Sequence, residues 1–262
     1  GANLKGVDLY GVKSGSIVGT PTLPDGYILI NGYIVGSYVS LVNANLTDAD
    51  LTSAILTGAD LTSADLWYAN LTDADLTSAN LTDADLTDAD LTGAYLWYAN
   101  LSGADLSDAI LTGADLTDAD LTDADLWYAD LTSANLSGAY LSGADLSDAI
   151  LTGADLTDAN LYVADLTGAD LSGADLSGAV LYYVDLTNAN LSGADLIGAV
   201  LYYVDLTDAN LTGAKLTGAN LTGAKLADAN LTGVISGNIL GTPASLPTGY
   251  TLINGNIIGP GI

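Results

Sequence analysis

The chain has 262 residues and a net charge of −28, set by 32 acidic residues, all Asp, against Lys5, Lys13, Lys215 and Lys225. It contains no Cys, Met, His, Phe, Arg, Glu or Gln, which excludes disulfides, thiolate metal sites and His-, Cys-, Glu- or Arg-based catalysis. Such acidity argues against a nucleic-acid backbone or a membrane surface as partner, and for cations, basic protein surfaces or simple solubility.

No apolar run is long enough to span a bilayer and no signal peptide is visible. The chain opens on Gly, as a processed product or a fragment would, and its lack of oxidisable sulfur suits an extracellular or cell-surface setting.

Residues 1–12 hold two short repeats, around Leu4 and Leu9. Residues 13–38 break the pattern with SGSIVGTPTLPDGYILINGYIVG, Ser14–Gly36. An Asn-Gly pair between β-rich arms, Tyr27–Ile30 and Tyr33–Val35, predicts a hairpin with a type I′ turn. The GTP triplet is no phosphate loop, because the Gly-Lys-Ser/Thr ending is missing.

Across residues 39–233, every fifth residue from Leu41 to Leu231 is Leu without exception. Ala, or Val at Val39, Val184 and Val204, stands two positions before it; Asp or Asn usually precedes it and Thr or Ser follows. An α-helix turns about 500° in five residues, so the Leu row would wander round its surface. A strand alternates with period two, which fits five only if the chain turns a corner in every repeat. Ala and Leu then both face inward, Asp and Thr outward, and Gly, Asp, Asn or Ser occupies the corner.

Four such sides close a square coil of twenty residues, and the bulky exceptions support that register: Tyr162, Tyr182 and Tyr202 recur at twenty, as do Tyr183 and Tyr203, and Val180 and Val200. Stacked from coil to coil, with Val163, they predict one apolar patch, read as a lateral contact or a self-contained ladder. Trp67 and Trp127 fall on one face and Trp97 on the opposite one, with Tyr68, Tyr98 and Tyr128 at corners.

The same register aligns Asp65, Asp85, Asp105, Asp125, Asp145, Asp165, Asp185 and Asp205 in one column that ends at Lys225. A shorter column, Asp155, Asp175 and Asp195, runs into Lys215. Such a row suits a hard cation, Ca²⁺ above all, although no acidic loop of the DxDxDG kind occurs; the alternative is a hydrated acidic face. Thr52, Thr72, Thr92, Thr112, Thr132, Thr152, Ser172, Ser192, Thr212 and Thr232 form a hydroxyl column, read as a hydrogen-bonded ladder rather than an ice-binding lattice because Ile110 and Ile150 interrupt the column beside it. ANLT and ANLS also make glycosylation sequons, at Asn45, Asn70, Asn80 and Asn100 among others, but the repeat generates them automatically.

Residues 234–262 carry SGNILGTPASLPTGYTLINGNIIG, Ser236–Gly259, which matches the first interruption nearly residue for residue and predicts a second hairpin with arms Tyr250–Ile253 and Asn256–Ile258. The two hairpins either fold over the ends as caps or accompany head-to-tail stacking, with Leu4, Leu9, Tyr27, Tyr33, Tyr250 and Ile257 as end contacts.

The A(D/N)LXX run resembles the pentapeptide repeat family over about three quarters of the chain. That resemblance implies an all-β, right-handed quadrilateral parallel β-helix, here with hairpin insertions near both ends, forming a rod roughly 45–50 Å long. Some members inhibit or protect DNA gyrase as acidic mimics of duplex DNA, commonly dimerising through a C-terminal helical segment, where this chain has a hairpin. The leading expectation is a non-enzymatic, secreted or surface-exposed scaffold that stacks on itself end to end, with no cofactor except for Ca²⁺ on the Asp column. The alternatives are a cytoplasmic gyrase-directed DNA mimic and a cation-binding surface protein.

Overall fold

The computed structural model describes residues 1–262 and contains no helix. Its architecture is a parallel β-helix flanked by two hairpins. Isolated parallel bridges join residues twenty apart in unbroken series, from Ser40↔Asp60 to Lys225↔Ser245.

One repeat shows why the pattern folds this way. Ala134 N–H donates to the Leu131 carbonyl (3.0 Å), closing a turn whose third residue, Ser133, has φ 57°. Positive φ at the third position is the geometry of a type II turn, and Gly, Asn, Asp or Ser tolerates it best. Asn135 N–H reaches back one layer to Ala114 O (2.9 Å), while Leu136 N–H and Gly138 N–H reach forward to Asp155 O (2.6 Å) and Thr157 O (2.9 Å). The remaining donor, Ser137 N–H, bonds the Asn135 side-chain Oδ1 (3.0 Å). All five N–H groups of the repeat therefore have partners. The Asp or Asn before each Leu is a backbone cap, a role that its outward direction alone does not reveal.

Every Leu from Leu41 to Leu231 and nearly every Ala two places before it is buried, in a single cluster of 82 residues running the length of the rod. No polar side chain is buried. Where Val takes the Ala position, at Val184 and Val204, the turn bond to Leu181 or Leu201 is missing. Val alone does not open the corner, since Val7, Val12 and Val234 keep the bond to Leu4, Leu9 and Leu231 (2.9, 3.1 and 3.2 Å); Val184 and Val204 each follow a Tyr-Tyr pair.

The hairpins lie where expected, each arm pair opening one residue later. Strands β1 (Ile28–Ile30) and β2 (Tyr33–Val35) pair antiparallel, Leu29 opposite Ile34. Strands β3 (Thr251–Ile253) and β4 (Asn256–Ile258) pair with Leu252 opposite Ile257. Both turns have positive φ at both central residues, 49° and 83° at Asn31-Gly32 and 48° and 75° at Asn254-Gly255, as type I′ requires.

The ladder extends beyond residues 39–233: Lys13 bridges Ser40, and Ile235, Leu240 and Ser245 continue the C-terminal side. The first hairpin is thus looped out between two stacked layers rather than set ahead of the stack.

Val163 has φ 60° at a corner and is 48% exposed, so its β-branched side chain is strained with little packing in return. We expect Val163→Gly to raise unfolding stability by about 1 kcal/mol, read from the midpoint of urea denaturation.

Candidate functional site

The eight-Asp column forms as the register predicts, each member bridged in parallel to the next from Asp65 to Asp205. One oxygen of every carboxylate is already engaged. Oδ1 of Asp85 accepts from Thr87 N–H (3.1 Å), that of Asp125 from Trp127 N–H (3.0 Å) and that of Asp185 from Thr187 N–H (2.9 Å). Asp65, Asp105, Asp145, Asp165 and Asp205 do the same to Trp67, Ser107, Ser147, Thr167 and Thr207. The structure stacks the carboxylates one per layer and brings no three of them together in a metal-binding group. Calcium ligation needs six to eight oxygens around one point, which a single file does not offer.

At the end of each acidic column a Lys closes an ion pair: Lys215 Nζ to Asp195 Oδ2 and Lys225 Nζ to Asp205 Oδ2, both 2.8 Å. Burial pushes the Asp205 carboxyl up, but hydrogen bonds from Lys225, the Thr207 hydroxyl and Thr207 N–H, with the Lys225 charge, hold it below the ordinary value. Asp195 is held low in the same way, burial being outweighed by Lys215, Ile197 N–H and Ser177.

The hydroxyl column is not a ladder of hydroxyls. Thr52 and Thr72 donate to Asp50 and Asn70 Oδ1 in their own repeats (both 2.7 Å), and a contact between layers occurs at Thr152–Ser172 (3.4 Å).

The tyrosine patch is real and more ordered than sequence spacing indicates. Tyr182 stacks on Tyr202 at 5.0 Å and Tyr183 on Tyr203 at 5.3 Å, with interplanar angles of 3° and 5°. Tyr162 meets Tyr183 edge-on at 6.3 Å rather than continuing the Tyr182 stack. The Tyr203 ring ends its stack over Gly223, where a Cβ would collide with it. Val180 and Val200 bridge each other beside these rings. Each Trp pairs with its sequence neighbour: Trp67–Tyr68 at 4.5 Å, Trp97–Tyr98 at 5.9 Å and Trp127–Tyr128 at 4.3 Å.

Of the end contacts, Leu9 and Ile257 are buried, while Tyr27, Tyr33 and Tyr250 pack against the core. Leu4 is half-buried. The Tyr33 hydroxyl accepts from Asn45 N–H (3.2 Å), replacing a partner that a preceding layer would supply. The larger cavity, about 510 Å³, lies in the first hairpin segment between Thr20 and Leu29, with Asp25 its lone charged group.

Two expectations follow. Millimolar Ca²⁺ should raise the melting temperature no more than Mg²⁺ at equal ionic strength, since both act on the columns by screening. For the ion pairs, a carboxyl held low stabilises the fold above the ordinary Asp value of 3.8, and that contribution is lost as pH falls through the lowered value. Lys225→Ala should therefore shift the Asp205 titration upward by carboxyl NMR. The variant should be slightly less stable than the parent at neutral pH and match it once Asp205 is protonated.

The family model described as pentapeptide repeats (8 copies) matches in overlapping segments from residue 37 to residue 235. Among solved structures, the chain is similar to HetL, a pentapeptide repeat protein involved in heterocyst differentiation regulation from the cyanobacterium Nostoc sp. strain PCC 7120. That match has 42% identity and a TM-score of 0.73, over 74% of this chain and 88% of HetL. Trypsin-treated QnrB1, a plasmid-mediated fluoroquinolone resistance protein, matches at 21% identity and a TM-score of 0.44, over 75% of this chain and 91% of that one. No curated protein matches. On the family model and the HetL likeness together, the chain belongs to the pentapeptide repeat family.

Proposed function

We propose that the protein is a non-enzymatic structural scaffold: a right-handed quadrilateral β-helix with twenty residues per coil that associates end to end, as a filament or sheath at the cell surface or outside the cell. The observation that carries this reading is the ladder itself, a one-dimensional stack from Ser40 to Ser245 in which a layer pairs only with its neighbours and its edge can be extended by another layer. From Asp60 to Asn230 each residue before a Leu donates its N–H to a carbonyl of the layer before it, so every layer is made by pairing with another. The edge of such a ladder carries both donors and acceptors, which the complementary edge of another ladder can satisfy. A contact between unlike ends repeats without closing, so it builds filaments rather than rings.

Support for a non-catalytic role is chemical. The ionisable groups are Asp, Lys and Tyr, and the Asp residues stand in regular solvated files rather than converging in a cleft. The sulfur-free composition supports an exposed location.

A second reading is an acidic binding rod, a DNA mimic directed at gyrase or a regulator docking a basic protein surface. It rests on the charge of −28 and on the likeness to HetL, a protein involved in differentiation regulation.

Negative-stain microscopy and light scattering over a concentration series separate the two. The scaffold reading expects rods longer than one subunit that lengthen with concentration, and no complex with purified gyrase in moderate salt. Single-subunit particles at every concentration would overturn it.

A further inference from the structure

Between Gly138 and Gly223 the face that carries the tyrosines bears a single charge, Asp158, on a chain whose net charge is −28. Tyr140, Tyr162, Tyr183 and Tyr203 on that face are each about half exposed. The opposite face is also poor in charge at this level, but there Asn210 donates to Asn190 Oδ1 and Asn190 to Asp170 Oδ1, both at 3.0 Å, so its polar groups satisfy one another. The apolar area runs along about 20 Å of rod, taking about 4.8 Å per layer.

The ring separations of 5.0 and 5.3 Å in the Tyr182–Tyr202 and Tyr183–Tyr203 stacks follow that layer spacing, so the ring planes lie across the rod axis. Stacked rings turn their faces to one another and their edges to solvent, whereas a sugar or a cation binds on a ring face. A basic partner would also choose the eight-Asp column over an uncharged face.

The shape of the face points to a second copy of itself. Two successive layers cross it as Gly178, Val180, Tyr182, Tyr183 and as Gly198, Val200, Tyr202, Tyr203. One edge is glycine and the other tyrosine. A Cβ on Gly198 would have nothing within 4 Å, and one on Gly218 would meet only the Gly198 nitrogen at 3.9 Å. Asp158 Oδ1 occupies the space that a Cβ on Gly178 would take. Round the corner from the tyrosine edge stands the column of Asp165, Asp185 and Asp205; round the corner from the glycine edge stand Thr157, Ser177 and Ile197.

We infer that two copies of the chain pair side by side through this face, about a two-fold axis parallel to the rods. That axis exchanges left and right at constant height. Tyr203 of one copy then meets Gly198 of the other, Tyr202 meets Val200, and Tyr183 meets Gly178 with the Asp158 carboxylate over it. A two-fold contact needs a surface that complements itself, and bulk on one edge with vacancy on the other does so. The same axis keeps the two Asp columns on opposite sides of the contact, each against the neutral edge of the other copy. An antiparallel pair would set Tyr against Tyr, and the Asp column against its own copy. Side-by-side pairing does not depend on end-to-end association and goes beyond it.

Sedimentation velocity over a concentration series, with negative-stain images, reads the pairing. Dimers should appear as rods doubled in width at unchanged length, and added salt should strengthen them by screening the Asp charge outside the contact. Gly198→Asp is tolerated by the corner, since Asp158 in the same column has φ 56°. It should weaken the dimer at least about tenfold and leave the melting temperature of the dilute protein unchanged. Gly173→Asp, at an equally open corner away from the tyrosine face, should weaken nothing. Gly198→Asp mixed with Tyr203→Lys sets a carboxylate opposite an ammonium, so the mixed pair should be at least about tenfold tighter than either variant alone. Single subunits at every concentration, or dimers that Gly198→Asp weakens no more than Gly173→Asp does, would overturn the pairing. Dimers that Gly198→Asp weakens and the mixture fails to restore would overturn the parallel axis. Rod length, which reports end-to-end association, should be the same in Gly198→Asp as in the parent, so the two contacts fail separately.

Discussion

A residue in the left-handed region at every fifth position turns the chain through a corner, and the Ala N–H to Leu C=O bond locks that corner. Without it, Ala and Leu could not both face the axis, and the period of five would have no structural meaning. The corner also dictates what may occupy it. Gly, Asp, Asn and Ser accept positive φ at low cost, whereas Tyr and Val do so at a penalty that packing must offset. The tyrosine corners obtain that offset from neighbouring layers: Tyr183 lies on Tyr203, and Tyr203 on Gly223. Val163, which lacks a comparable ring stack, carries the strain openly.

The second constraint is the orphan N–H that each corner creates. Where the residue before Leu is Asp or Asn its side-chain oxygen satisfies that N–H, so the repeat favours those residues for a hydrogen-bonding reason, while Ile110, Ile150, Val180 and Val200 supply no such cap. Asn serves as well as Asp: Ser137 N–H on Asn135 and Thr157 N–H on Asp155 have nearly the same geometry, 3.0 and 2.9 Å. The cap explains why the position is polar but not why one face carries Asp eight times in succession. That choice adds charge beyond what the fold needs, and neighbouring charges one layer apart repel by about 1 kcal/mol even at the dielectric of water. The Lys residues that end two acidic columns relieve the repulsion only at the C-terminal side, leaving most of the rod strongly acidic.

Much of this is readable from the bare sequence. The unbroken Leu row, the inward Ala and the twenty-residue recurrence of Tyr locate the core and the stacking register, and the two Asn-Gly pairs locate the hairpins to within a residue. Three features are not. The capping role of Asp is hidden because the column arithmetic shows direction but not reach: a side chain that points outward can still fold back two residues to its own backbone. The missing turn bonds at Val184 and Val204 do not follow from residue type, because Val7, Val12 and Val234 keep theirs. The placement of the first hairpin between layers depends on Lys13 meeting Ser40, a step of twenty-seven residues that matches no period of the array.

That step also bears on how the rod can end. In a one-dimensional stack each layer gains stability only from its neighbours, so an unfinished terminal layer is both the weakest part and the most adhesive. A hairpin looped out between layers covers part of the exposed core without closing the ladder, as Tyr33 does by lending its hydroxyl to Asn45. The first module is therefore a junction: it receives the chain below through Gly11 and returns it above through Ser40. A second copy of the module, with the same internal bonds, stands on the last layers of the array. In both places the Ser hydroxyl accepts from the second strand of the hairpin and the Tyr ring packs on the core, so one short segment meets the repeat layers in the same way twice.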